Sequence, residues 1–124
     1  MAVIDDLLSH QRTTEALGQV MGRLGWDQET MMPKGAADQR GEEMAALETV
    51  LHARRTDPQL AEWLAQAEAR NPAEAAQIRE LARSHARAVK VPAALAAELA
   101  RVTSVSQGVW AQARANEDIA AFLP

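Results

Sequence analysis

Cysteine and tyrosine are missing from this chain and phenylalanine occurs once. Without cysteine there can be no disulfide framework, and no thiolate to ligate zinc or an iron–sulfur cluster. The scarcity of aromatic and β-branched residues beside abundant alanine argues against strands. No apolar run approaches the ~20 residues that a membrane span requires. The N-terminus places Asp5 and Asp6 where a secretory signal would be positive, so a cytoplasmic protein is expected. Charge of one sign is in small excess, with 13 Lys and Arg against 17 Asp and Glu and a net charge of −4. That balance gives no basic footprint for sequence-independent nucleic-acid binding.

What is present is helix-forming. The chain has 124 residues, 48% of them hydrophobic, enough for one packed domain over 1–124 without cross-links. The composition predicts an all-α fold of about five helices in an antiparallel, bundle-like array with short loops and no sheet.

Two long helical patterns meet at Gly25-Trp26-Asp27-Gln28-Glu29-Thr30-Met31-Met32-Pro33. The first runs from Val3 to Leu24, and the second restarts after Pro33 and continues to about Arg55. Proline disfavours helical geometry in the residue before it, so a corner is expected here. Trp26 is large enough to anchor that corner by burial, and Asp27 and Thr30 have the short polar side chains that cap helix starts.

In the first helix Ile4, Leu7, Leu8, Leu17, Met21 and Leu24 share a stripe interrupted by Gln11 and Thr14. The gap reads either as partial exposure at mid-helix or as the lining of a cleft or subunit contact. In the second, Ala37, Arg40, Met44, Leu47 and Leu51 share a face, which turns Arg40 inward. A buried guanidinium needs an acidic or carbonyl partner, and Asp27, then Glu29, are the candidates. A substrate-binding arginine is the alternative reading.

Asp57-Pro58 and Asn71-Pro72 each set a capping residue before a proline and mark the third and fourth helices. Leu60, Trp63, Leu64 and Ala67 form the apolar face of the third; Ile78, Leu81, His85 and Val89 form that of the fourth. A basic line of Arg79, Arg83, Arg87 and Lys90 reads as a solvated face or one paired with glutamates of a neighbouring helix, with an anionic partner as the alternative. After Val91-Pro92 a fifth helix is expected, with Leu95, Leu99, Val102, Val105 and Val109 inward, extending past Trp110 toward Asn116. The apolar tail Ile119-Ala120-Ala121-Phe122-Leu123-Pro124 is of a kind that docks onto other surfaces.

Motifs for chemistry are sparse. A helical zinc hydrolase needs two histidines one turn apart with a glutamate between them, and a di-iron bundle needs Glu-x-x-His segments; neither pattern occurs. His10, His52 and His85 sit singly on different helices, and His85 reads as a hydrogen-bonded, half-buried residue. There is no Gly-rich phosphate loop, and Ser9, Ser84, Ser104 and Ser106 stand in no nucleophile motif. The residues themselves assign no catalytic and no metal-binding position.

The block from Leu24 to Pro33 with Ala37, Arg40 and His52, followed by Lys90-Val91-Pro92 with Leu95, Glu98, Leu99, Trp110, Ala113-Arg114, Asp118, Phe122 and Pro124, resembles the N-terminal segment of the carboxypeptidase Taq family of zinc metallocarboxypeptidases. The resemblance covers nearly the whole chain. Trp26, Asp27, Thr30, Pro33, Arg40 and Trp110 carry over as residues of that pattern, without a catalytic role.

The resemblance implies a mostly helical and longer parent enzyme, commonly a homodimer, that releases single residues from peptide C-termini. It would use zinc or another divalent metal held by a His-Glu-x-x-His motif and a later glutamate, all beyond this segment. The chain would then be an N-terminal lid or groove wall, inactive alone, with the rest of the parent as its partner and peptide as an indirect one; no cofactor, nucleic acid or membrane is expected for it. A freestanding helical interaction module is the competing expectation.

Overall fold

The computed structural model describes residues 2–123, which leaves Met1 and Pro124, the last residue of the second matched block, outside the description. Five α-helices follow one another: α1 Val3–Thr30, α2 Ala37–Arg55, α3 Pro58–Gln66, α4 Pro72–Ala88 and α5 Ala93–Ala115. Single 3₁₀ turns, Lys34–Ala36 and Ile119–Ala121, precede α2 and follow α5. No strand occurs among the described residues, and no helix is long and apolar enough to cross a membrane. The all-α expectation holds.

The helix starts follow the capping chemistry. Asp57 accepts a hydrogen bond from the Gln59 N–H at 2.9 Å and Asn71 accepts one from the Glu74 N–H at 2.9 Å, each with proline as the first helical residue. Those side chains satisfy amide groups that have no partner inside the helix.

The corner lies later than the sequence suggests. α1 runs through Gly25 and Trp26 to Thr30, because Pro33 restricts only the residue before it and nothing between 25 and 30 breaks a helix. Asp27 and Thr30 are therefore helix-interior residues and cap nothing; the Thr30 hydroxyl donates back to the Trp26 carbonyl at 2.7 Å. Trp26 does not anchor the corner, since it is 65% exposed. Pro33 is the residue that leads into the 3₁₀ turn, and the turn hands the chain on to α2.

α2 is the central element. It packs most extensively on α5 and next on α1. Arg40 meets Leu24 and Asp27 while Arg54 meets His10, so α1 and α2 are antiparallel. Arg101 reaches Glu42 while His52 reaches Val91, so α5 is antiparallel to α2 as well. α1 and α5 thus run the same way on either flank of α2.

The close approach of α2 to α5 depends on Gly41, where an added Cβ would lie 2.8 Å from Val105 Cγ2. Leu60 of α3 is buried and its neighbour Trp63 meets the His10 ring edge-on, with centroids 5.7 Å apart. α4 packs on α3 and on the end of α2.

The inward face expected for α5 is corrected at every residue but Val105, which meets α2 at Gly41. Leu95, Leu99, Val102 and Val109 are 41–54% exposed, while Ala96, Ser104 and Ala113 are buried. Both sides of α5 are apolar, and helix–helix proximity selects the side with small residues, because only small side chains let the backbones approach. The basic line of α4 is exposed, with Arg79 and Arg83 paired to Glu80 of the same helix and not to a neighbouring one. The apolar tail also stays open, with Ile119, Phe122 and Leu123 all exposed.

Candidate functional site

The flanking helices leave a groove above α2. Its volume is about 630 Å³ and its floor is apolar, with Met44 of α2 between Met21 of α1 and Ala96 and Ala100 of α5. The two ends are polar. At one, Ser104 Oγ donates to Gln28 Oε1 at 2.9 Å and Gln28 Nε2 donates to the Ser104 carbonyl at 2.6 Å, tying α1 to α5 across a gap that their backbones do not close. At the other, Glu48 and Arg55 form a looser pair, Nη1 to Oε1 3.6 Å, beside His52.

Below the groove, Arg40 fixes the α1–α2 corner. Its Nη2 lies 2.6 Å from Asp27 Oδ2 and its Nη1 donates to the Leu24 carbonyl at 2.6 Å. Asp27 is the partner, as expected, and Glu29 is not. Glu43 lies 3.5 Å from Nε without forming a hydrogen bond, so Nε is buried and unpartnered. Arg40 therefore serves the fold, since both donating nitrogens are committed to α1.

The polar gap of α1 divides: Gln11 is half-buried, lines a surface cleft and donates to Glu15, whereas Thr14 is sealed. Thr14 is 2% accessible, and its hydroxyl accepts from Arg54 Nε at 3.0 Å while donating to the His10 carbonyl. Arg54 Nη2 donates to that same carbonyl, and the His10 ring donates to the Arg54 carbonyl at 3.1 Å. Burial of a threonine and the inner face of an arginine is tolerated because each polar atom finds a partner. Sequence periodicity showed the gap but not Arg54, which comes from another helix.

All three histidines take the same task. A carbonyl oxygen can only accept, so each ring donates: His10 to Arg54 O, His85 Nδ1 to Arg55 O at 3.0 Å, and His52 Nε2 to Val91 O at 2.7 Å. The acceptors are the last carbonyls of α2 and one just beyond α4, groups that lack intrahelical partners. His85 is half-buried and hydrogen-bonded, as its position on an apolar face suggests.

Sequence reading also missed Arg70. Its guanidinium clasps Glu74, with Nη2 to Oε1 2.8 Å, and reaches Asp5 of α1 at 2.9 Å. The Arg70 N–H donates to Glu74 Oε2 as well. These bonds hold the Glu74 carboxyl below its ordinary value and raise the Arg70 guanidinium further. The signal was Asn71-x-x-Glu74, the spacing of a capping box. Of the residues matched to the family pattern, the structure joins Asp27 to Arg40 and leaves Trp26 and Trp110 exposed.

The fold is an all-helical element with an open groove between its two flanking helices, apolar at the floor and polar at the ends. Comparison with known proteins then assigns the family: residues 6–124 match carboxypeptidase Taq (M32) metallopeptidase, and the chain belongs to it.

Thermostable carboxypeptidase 1 of Thermus thermophilus is 38% identical over 99% of this chain, and that of Pyrococcus furiosus 29% over 98%. In both cases the chain spans 25% of the relative's length. No solved structure matches the chain significantly.

The family is one of metal-dependent enzymes, so the donor set was compared with a metal site. Among the described residues no group of three or more His, Asp or Glu side chains is placed to hold an ion, and each histidine ring is turned to a carbonyl. These residues do not fit a metal centre.

Proposed function

We propose that this chain is the N-terminal helical region of a metallocarboxypeptidase that releases amino acids from the C-termini of peptides, and that its role there is to shape access to the substrate. The carrying observation is a family match over residues 6–124 in a chain a quarter as long as its relatives. The groove over α2 supports a guiding role, because an apolar floor between hydrogen-bonding ends suits a peptide. On this reading the catalytic metal, zinc or another divalent ion, is held elsewhere in the enzyme, and the chain alone is inactive. A cytoplasmic location and a homodimeric parent belong to the same proposal.

The test is a hybrid in which this chain replaces the matching quarter of the Thermus thermophilus relative. Hydrolysis of peptides from the carboxyl end is expected for the hybrid and not for the chain. Thr103 is exposed on the groove wall, so Thr103→Trp narrows the groove without disturbing the core. It should raise KM for peptides with kcat largely kept. Hydrolysis by the chain alone, with contaminants excluded, or a folded, active hybrid indifferent to Thr103→Trp, would overturn the reading.

A further inference from the structure

α5 is apolar on two sides, and one of them is uncovered. Ala96 and Ser104 face the interior, whereas Leu95, Leu99, Val102 and Val109 stand 41–54% exposed on another side, Leu99 at the rim where that side meets the groove. The exposed residues, with Ser106 between the last two, fall at steps of four, three, four and three along the helix. That spacing keeps a narrow seam on one side, the geometry that accepts a second helix at a shallow crossing angle. α4 shows the contrast, with one apolar face directed inward and a charged face in solvent.

We infer that the seam Leu95–Leu99–Val102–Val109 is the docking surface for an amphipathic helix from the other three quarters of the carboxypeptidase polypeptide. This rests on the reading of the chain as one region of that enzyme. The occupant is sought in that polypeptide because the chain matches its relatives over almost all of its own length but only 25% of theirs. Ser106, within the seam, turns its hydroxyl to the Thr103 carbonyl, and Arg101 is turned aside to Glu42 of α2 and to Glu98. α5 is then the shared wall between this helical region and the remainder, with the groove on one flank and the docked helix on its back.

The chain has no cysteine, and Val102 is exposed on the seam and outside the groove lining, so a single Val102→Cys substitution gives a clean probe. Labelling by a water-soluble maleimide, located by mass spectrometry, is compared in the 124-residue chain and in the hybrid described above. Arg83→Cys on the exposed face of α4 serves as the control. In the hybrid, labelling at Val102→Cys should slow at least tenfold while the control is unchanged. Equal rates in both contexts overturn the proposal. Slow labelling in the isolated chain that speeds up on dilution also overturns it, because a second copy of the chain is then the occupant.

If the hybrid does not assemble, the same substitution at the aligned position of the intact Thermus thermophilus relative must be protected, or the proposal falls. Protection in a hybrid without peptidase activity sustains the docking surface while sinking the functional reading, so the two fail separately.

Discussion

Arg40 of α2 reaches back to Asp27 in the last turns of α1, Nη2 to Oδ2 2.6 Å, with its side chain 11% exposed and that of Asp27 38%. Removing the guanidinium leaves the aspartate without its cation but with partial access to water, while the Leu24 carbonyl keeps its place in the α1 ladder. Arg40→Ala should therefore lower stability by about 2 kcal/mol, toward the lower end for a broken buried pair. A double-mutant cycle with Asp27→Ala, read by urea unfolding, should return a coupling of roughly 1 kcal/mol. Additive effects would show that the two side chains do not depend on each other.

Gly41 sets how near α2 comes to α5. Alanine is the better helix former by about 1 kcal/mol, yet its Cβ would lie 2.8 Å from Val105 Cγ2. Crowding a stiff valine outweighs that gain, so Gly41→Ala should cost about 1 kcal/mol net and Gly41→Val more. Val105→Ala should restore the alanine variant. Thermal melting of the three proteins checks the order.

Thr14→Val keeps the shape of the side chain but removes the acceptor for Arg54 Nε. The loss should be about 1–2 kcal/mol, the cost of leaving a buried donor without a partner. Ser at the same position retains the hydroxyl and should recover most of it. A valine variant as stable as the parent would mean that water reaches Arg54.

Glu74 carries an acid-linked contribution to stability. Its folded carboxyl titrates below the unfolded one, chiefly because Arg70 bonds to it. The contribution is therefore complete above the ordinary carboxylate value and is lost as pH falls through the depressed folded value. Arg70 remains charged throughout and adds nothing to that limb. Glu74→Gln should melt earlier than the parent at neutral pH, and the gap should shrink in the acid range. A gap independent of pH would remove the linkage.

Much of the architecture is readable from local chemistry. Asp57-Pro58 and Asn71-Pro72 each declare a helix start through a cap and a fixed φ, and both do start helices. The Arg40–Asp27 pair follows from an arginine on an apolar face and the cost of burying it alone. Other features depend on distances between helices, which periodicity does not encode. α5 offers one side rich in leucine and valine and another with small residues; hydropathy favours the first, while packing buries Ala96 and Ser104 and sets Val105 against Gly41.

Trp26 misleads for a related reason: its size predicts burial, but its place on α1 leaves it in solvent among the described residues. The groove is equally hidden from sequence, since Gln28 and Ser104 lie 76 residues apart and nothing in either stretch pairs them.

The α3–α4 hairpin is held to the rest by few attachments: Leu60, Trp63 on the His10 ring of α1, the Arg70 clasp and the His85 ring on the end of α2. Its backbone amides should accordingly exchange with deuterium well before those at the centre of α2, through partial openings that leave the three longer helices folded. Protease nicking would begin near residues 67–71 for the same reason, and the separated arm could swing while the wall behind it stood.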